Sequence, residues 1–181
     1  MESPVSKEQA VEATRTWLEK DVIGLNLCPF AQAVHVAGRI RYVVSDAETA
    51  KALRGDLLEE LLFLKAADPE QVDTTLLIHP RVLNDFYEFN DFLDIADDVL
   101  KDLGLRGDIQ IASFHPHYQF AETEPDDVSN RTNRSPYPTL HLLREASVEK
   151  ALENYPDADE IPQRNIETMR RLYGSSPKPP G

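Results

Sequence analysis

The sequence predicts an α/β (or α+β) protein with one mixed sheet of about four strands, layered with amphipathic helices. Short β-branched runs alternate with longer stretches of helical periodicity, as they do in βαβ crossovers. The chain has 181 residues, of which 41% are hydrophobic, so it can bury one substantial core. We therefore predict a single globular domain over residues 1–173, followed by a disordered tail over 174–181 that is rich in Ser, Pro and Gly.

Capping boxes mark the first helices. One at Ser6 begins the first predicted helix, in which apolar residues recur at helical spacing to about Asn26. The alternating, β-branched run over 39–45 predicts the first strand. A second capping box, formed by Ser45 and Glu48, predicts that an amphipathic helix follows this strand.

Periodicity also predicts the elements of the rest of the chain. In order they are a buried strand over 74–78, a long amphipathic helix over 82–103, a strand over 107–114, a strand or helix start over 139–143, a short helix capped by Ser147 and a last helix over 161–172. Gly104 is predicted to end the long helix. If the second and third strands run parallel, His79 and His115 follow them at the carboxyl edge of the sheet, where ligands bind in such folds.

Charge and cysteine content exclude several classes of function. The chain has 32 acidic and 19 basic side chains and a formal charge of −13, so it repels nucleic-acid backbones over most of its surface. We expect no nucleic-acid partner. A single cysteine, Cys28, cannot form an internal disulfide, and the N-terminal region has no leader pattern or long apolar run. These features predict a cytoplasmic protein without a membrane partner.

Histidines are concentrated between residues 114 and 145. His115 and His117 are two residues apart, so in an extended chain they project to one side and could chelate a metal with His141 or Cys28. A zinc-dependent hydrolase using His115 and His117 is therefore one hypothesis. The structural alternative is that His115 ends a strand and His117 is exposed. The sequence assigns no cofactor.

The five residues 115–119, HPHYQ, are similar to the histidine-proline-histidine-x-glutamine core of galactose-1-phosphate uridylyltransferase. That resemblance implies that His117 would attack a phosphorus atom.

Arginine, amide and hydroxyl groups follow closely over 130–135. Guanidinium forks bind carboxylates and phosphates through two parallel hydrogen bonds, which lysine cannot do, so this segment favours a small anionic ligand. The alternative is that Asn, Ser and Pro build turns while the arginines pair with the acidic surface. The predicted ligand-binding residues are Tyr118, Arg131, Asn133, Arg134, Ser135, Tyr137, Arg144, Arg164 and Asn165.

Cys28 lies just after the first predicted helix and before Pro29, which is expected to stop regular structure. A nucleophilic thiol there would need an electropositive neighbour to lower its pKa. It would also have to approach the loop that follows the third strand. The alternative is a small buried apolar residue between Leu27 and Phe30.

Four segments, LNLCPFA, FHPHYQF, NRSPYPTLHLLRE and IPQRNIETM, resemble in order and spacing the bacterial family catalogued as domain of unknown function 1415. The resemblance covers nearly the whole chain and implies kinship without an activity. His117 is not part of the family pattern. The resemblance implies that the positions to test are Cys28, His115, Tyr118, Asn133, Arg134, Ser135, Tyr137, His141, Arg144, Glu145, Arg164 and Asn165.

The leading hypothesis is an enzyme, a hydrolase or group transferase, that acts on a small phosphate- or carboxylate-bearing metabolite. Its candidate catalytic residues are His115, His141, Cys28 and Glu145. Seven scattered glycines build no dinucleotide-binding or phosphate-binding loop, which disfavours redox chemistry with such a cofactor. The alternative is a non-catalytic regulatory protein in which the same arginines bind a ligand or an acidic partner segment.

Overall fold

Four strands form one mixed sheet in the computed structural model of the protein, which describes residues 4–25, 27–153 and 157–174. They are β1 (Ile40–Val44), β2 (Thr74–Ile78), β3 (Ile109–Phe114) and β4 (Thr139–Arg144), in the spatial order β1-β2-β4-β3. β1 and β2 are parallel, and β4 is antiparallel to both β2 and β3. β1, β2 and β3 therefore run in one direction. The predicted α/β class with a four-stranded mixed sheet in a single domain is confirmed.

Helices precede the sheet and connect its strands. They are α1 (Lys7–Trp17), α2 (Pro29–Val36), α3 (Ala50–Ala66), α4 (Phe86–Asp102), α5 (Glu145–Glu153) and α6 (Ile161–Tyr173), with a π-helical turn over Leu18–Ile23 and 3₁₀ segments over Val128–Asn133 and Ala158–Glu160. α3 connects β1 to β2 and α4 connects β2 to β3. Among the described residues, no helix combines the length and apolar character needed to cross a membrane.

The two faces of the sheet pack against different helices. Leu77, Leu140 and Leu142 project to one face, where they join the apolar sides of α3 and α4 in the larger core. Side chains at the alternate positions project to the other face, because successive residues of a strand point in opposite directions. On that side a smaller cluster is centred on Trp17 and Val22.

Two predicted helix caps are wrong. The N-cap of α3 is Thr49, whose hydroxyl accepts the N–H of Ala52 at 3.1 Å. The hydroxyl of Ser45 instead donates to the carboxylate of Asp56 and accepts the backbone N–H of Ala47 at 3.0 Å, in the turn that precedes the helix. α5 begins at Glu145, before the predicted cap, because Ser147 lies inside the helix and donates to a buried aspartate.

The first helix also differs from its prediction. α1 ends at Trp17 and continues as the π-helical turn, and Pro29 begins α2 instead of stopping regular structure. Proline is tolerated there because the first N–H groups of a helix have no intrahelical partner. Asn26, the predicted helix end, lies outside the described residues, as does the predicted tail beyond Gly174.

Three other predictions agree with the structure. The capping box at Ser6 makes both of its hydrogen bonds. Gly104 follows Leu103, the C-cap residue of α4, with a φ of 69°, the left-handed conformation that glycine adopts without strain. Residues 139–143, whose pattern fits either a strand or the start of a helix, lie in strand β4.

Truncating α3 on its buried side should destabilise the protein strongly. Leu57 is 0% exposed, whereas Leu62 on the same helix is 47% exposed. We expect Leu57→Ala to lower the free energy of unfolding by about 2–5 kcal/mol, since it removes buried methyl groups and leaves a cavity. Leu62→Ala is the matched control and should change it by at most about 0.5 kcal/mol. Urea denaturation measures both, and equal losses would contradict this assignment of the core.

Candidate functional site

A cavity of about 280 Å³ lies between the second face of the sheet and the surrounding helices. Its lining is mostly apolar, with a few polar side chains. The polar or reactive residues that line it are Cys28, Thr74, Gln110, Thr132, Asn133, His141 and Asn165. None of the described lining residues is Asp, Glu, Lys or Arg. Such a concave apolar space with few polar groups is typical of small-molecule sites.

His141 lies on the floor of this cavity, near the middle of β4. It pairs with Leu76 of β2 and Ala112 of β3, so all three side chains project to the same face. The ring of Phe114 lies beside the imidazole, with 5.7 Å between ring centroids, and Trp17 packs edge-on against Phe114 at 5.1 Å. Strand pairing on both sides therefore fixes the position of the imidazole.

Burial lowers the pKa of His141 to about 4. The imidazole is therefore neutral near pH 7, with one nitrogen protonated and one free to accept a hydrogen bond. Its ring makes no hydrogen bond to any other described residue, yet it retains some accessible surface. Because the ring lines the cavity, we assign that surface to the cavity rather than to bulk water.

Two asparagines bring amide groups to the same space. Asn165 of α6 donates from Nδ2 to the carbonyl of Leu27 at 2.8 Å, and Asn133 donates to the carbonyl of Ser113 at 3.2 Å. Each bond uses one amide proton and leaves the second N–H for another acceptor. The Asn165 bond also holds α6 against the chain segment that leads to Cys28.

Cys28 and Asn133, which belongs to the loop after the third strand, both line the cavity. Burial raises the pKa of the Cys28 thiol, and the backbone N–H groups of Ala31 and Phe30 oppose this only in part. The thiol is therefore protonated at neutral pH. As the cavity stands, the group is not an activated nucleophile.

His115 lies away from the cavity, on the side of α4. Its Nε2 donates to the carbonyl of Leu83 at 3.0 Å, and its Nδ1 accepts the backbone N–H of His117 at 3.0 Å. Both ring nitrogens are occupied, and burial lowers the pKa of the ring. His117 is exposed. Within the described part of the chain, no group of three His, Cys, Asp or Glu side chains is arranged to hold a metal ion.

The predicted arginines do not converge on the cavity. Arg134 donates from Nε to the carbonyl of Tyr118 at 3.0 Å and from Nη2 to that of Pro125 at 2.6 Å. Arg144 lies near the start of β2, where it donates to the carbonyls of Ala67 and Val72. Both guanidinium groups therefore hold backbone segments in place.

The remaining candidates lie in other surroundings. Tyr118 packs on the rings of Phe86 and Phe120, and burial raises the pKa of its hydroxyl. Ser135 donates to the carbonyl of Tyr137 at 2.6 Å and so closes a turn. Arg164 is exposed. Glu145, Arg131 and Tyr137 also lie outside the lining of the cavity.

Sequence reasoning did not select Gln110 and Thr132, which also line the cavity. The signal for Gln110 was its place on the same strand face as Ala112 and Phe114, since a polar residue at an inward-facing position indicates a cavity or a partner. Thr132 lies in the 3₁₀ segment, where no periodicity indicates which way a side chain points.

Comparison with known families gives a match over residues 9–177 to the family described as Protein of unknown function (DUF1415). The match covers nearly the whole chain. Neither the search of the curated proteins nor the search of the solved structures returned a match.

Lowering the pH should destabilise the protein, because His141 takes up a proton less readily in the folded state than in the unfolded state. The unfolded imidazole has a pKa of about 6.5, so as the pH falls from there towards 4 the unfolded state binds a proton that the folded state excludes. At pH 5 this costs up to about 2 kcal/mol of stability. We expect His141→Leu to lose less stability than the wild type between pH 7 and pH 5 in urea denaturation. The exposed His117→Leu is the control, and identical losses in the wild type and His141→Leu would show that the imidazole is not buried.

Proposed function

Because the chain belongs to the family Protein of unknown function (DUF1415), whose description names no activity, we propose its function from the geometry of the cavity. The protein binds a small, uncharged organic molecule between the sheet and the helices. The ligand has an apolar body and one polar end that bonds to His141. Its size is limited by a cavity volume of about 280 Å³, near the lower end of the range for ligand pockets.

The observation that carries this proposal is the imidazole of His141. It is partly buried, lines the cavity and has no hydrogen-bond partner among the described residues. A buried polar group without a partner costs free energy, and a ligand that supplies the hydrogen bond recovers it. The neutral ring offers one donor and one acceptor, so a hydroxyl, amide or carbonyl group on the ligand would be recognised.

The absence of charge from the described lining supports an uncharged ligand. An ionised group transferred into this space would lose its hydration without gaining a counter-ion. The arginines that favoured an anionic metabolite lie elsewhere. The Nδ2 groups of Asn133 and Asn165 bond to backbone carbonyls, which fixes both amides in place and pre-organises the remaining donors for a ligand.

The presence of Cys28 and His141 in one cavity favours a second candidate function, a hydrolase or group transferase. In that reaction the sulfur of Cys28 attacks the carbonyl carbon of a bound ester, and His141 accepts the thiol proton as the C–S bond forms. The C–O bond to the alcohol then breaks, His141 returns the proton to the departing alcohol, and water or an acceptor alcohol cleaves the thioester to release the product and the free thiol. Both groups are neutral before reaction, so the proton must move during the attack. The single cysteine fits the expected cytoplasmic setting, where thiols stay reduced.

A matched pair of probes tests the ligand chemistry. We expect benzamide to raise the melting temperature and benzoate, which has a similar shape but carries a charge, to have little effect. A ligand at a hundred times its Kd adds about 2.7 kcal/mol, which corresponds to roughly 5–10 °C for a chain of this size. His141→Leu should remove the shift, while the exposed His117→Leu should keep it. A larger shift with benzoate would contradict the proposal.

Cys28 distinguishes binding from catalysis. We expect Cys28→Ala to bind the neutral probe within a few-fold of the wild type, because the thiol is a small part of the lining. In the wild type, bound probe should slow alkylation of Cys28 by iodoacetamide, measured by mass spectrometry. Slow release of product from aryl esters by the wild type, absent in Cys28→Ala, would favour the hydrolase. Alkylation at an unchanged rate with the probe at saturation would show that the probe binds elsewhere.

A further inference from the structure

A second, smaller pocket of about 210 Å³ lies beside the 3₁₀ segment Val128–Asn133. Its described lining is Asp21, Arg131, Arg134, Met169 and Tyr173. The segment separates two environments, since Thr132 and Asn133 line the large cavity while Arg131 and Arg134 line this pocket. The two arginines are therefore presented together at a site that the proposed function does not use.

Arg134 is held rigidly in this pocket. Its Nε and Nη2 atoms donate to the carbonyls of Tyr118 and Pro125, which fixes the plane of the guanidinium. Neither bond involves Nη1, so this nitrogen remains for another acceptor. The pKa of Arg134 is lowered by burial and, to a smaller extent, by the positive charge of Arg131. The positively charged guanidinium groups of Arg131 and Arg134 are thus close to each other in this pocket.

Arg131 is held in a different way. Its guanidinium carbon lies 3.7 Å from the centre of the Tyr173 ring, so the flat group stacks on the aromatic face. This arrangement leaves the N–H groups at the guanidinium edge free to bind an acceptor in the guanidinium plane. Stacking limits the rotamers of a long side chain and so lowers the entropy lost when a ligand binds.

Six of the twelve arginines of this acidic chain have a carboxylate within reach. Arg15, Arg41, Arg54, Arg81, Arg106 and Arg144 each lie within 4.0 Å of an Asp or Glu oxygen. Among the described residues, neither Arg131 nor Arg134 has such a partner, although the chain has 32 acidic side chains. An oxyanion would satisfy two neighbouring guanidinium groups that have free donors and no described carboxylate within 4.0 Å.

We infer that the pocket formed by Arg131, Arg134 and Tyr173 binds a small oxyanion, either a carboxylate or a phosphate. The anion would lie between the two guanidinium groups, accepting from Nη1 of Arg134 and from the edge of Arg131. Asp21 contributes the one carboxylate among the described lining residues and weakens the binding of any anion. This pocket is separate from the cavity of the proposed function, so either proposal can be contradicted without affecting the other.

Isothermal titration with inorganic phosphate and with acetate, at constant ionic strength set by sodium chloride, tests the inference. We expect saturable binding of at least one anion to the wild type. Arg131→Gln should weaken it by about tenfold or more, because a charge-assisted contact is lost. Arg171→Gln on α6 is the matched control, since it makes the same change of charge at an exposed arginine outside the pocket, and should change affinity by less than about twofold.

Asp21→Asn provides a test in the opposite direction. It removes the negative charge from the pocket and should tighten the binding of both anions. Tighter binding of phosphate than of acetate would assign a phosphate ligand, and the reverse would assign a carboxylate. Equal weakening by Arg131→Gln and Arg171→Gln, weaker binding by Asp21→Asn, or no saturable binding of either anion would overturn the inference. Circular dichroism of each variant confirms that it is folded.

Discussion

The antiparallel insertion of β4 between β2 and β3 is the constraint on which both the core and the cavity depend. Leu140 and Leu142 pack against α3 and α4, while His141 between them projects to the opposite face. Because side chains alternate along a strand, a slip of β4 by one residue would bury the imidazole in the larger core and expose two leucines to the cavity. Pairing with a neighbour on each side prevents that slip and so fixes the imidazole.

Three histidines, of which His79 and His115 are fully buried and His141 partly so, have different hydrogen-bond partners. His79 bonds through Nδ1 to the carbonyl of Val82, and His115 through Nε2 to that of Leu83. Leu83 has a φ of 60°, a conformation that costs energy for a residue with a side chain, and the bond to His115 helps to stabilise it. His141 has no such backbone partner in the part of the chain that the structure describes. The first two therefore organise the loop before α4, whereas the third remains available to a ligand.

The sequence predicted the parts of the fold that depend on local pattern. Strand alternation, the helical faces and the Ser6 cap need only neighbouring residues to be recognised. The cap of α3 could not be assigned in this way, because Ser45 and Thr49 both have suitable side chains. Thr49 is the cap because the helix begins at Ala50, and local pattern does not fix that start. The direction of the Arg134 side chain could not be predicted from local pattern either, since it depends on how the loop closes on Tyr118 and Pro125.

The density of polar residues over 130–135 indicated one site in the sequence, but the 3₁₀ segment divides it between two. Thr132 and Asn133 enter a cavity whose described lining is uncharged, and Arg131 and Arg134 lie in the smaller pocket beside it. An arginine turned into the apolar cavity would lose its hydration without a counter-ion, so the division by charge follows from desolvation. Side chains that are close in sequence therefore serve different chemistry, and a single anionic substrate is not needed to account for them.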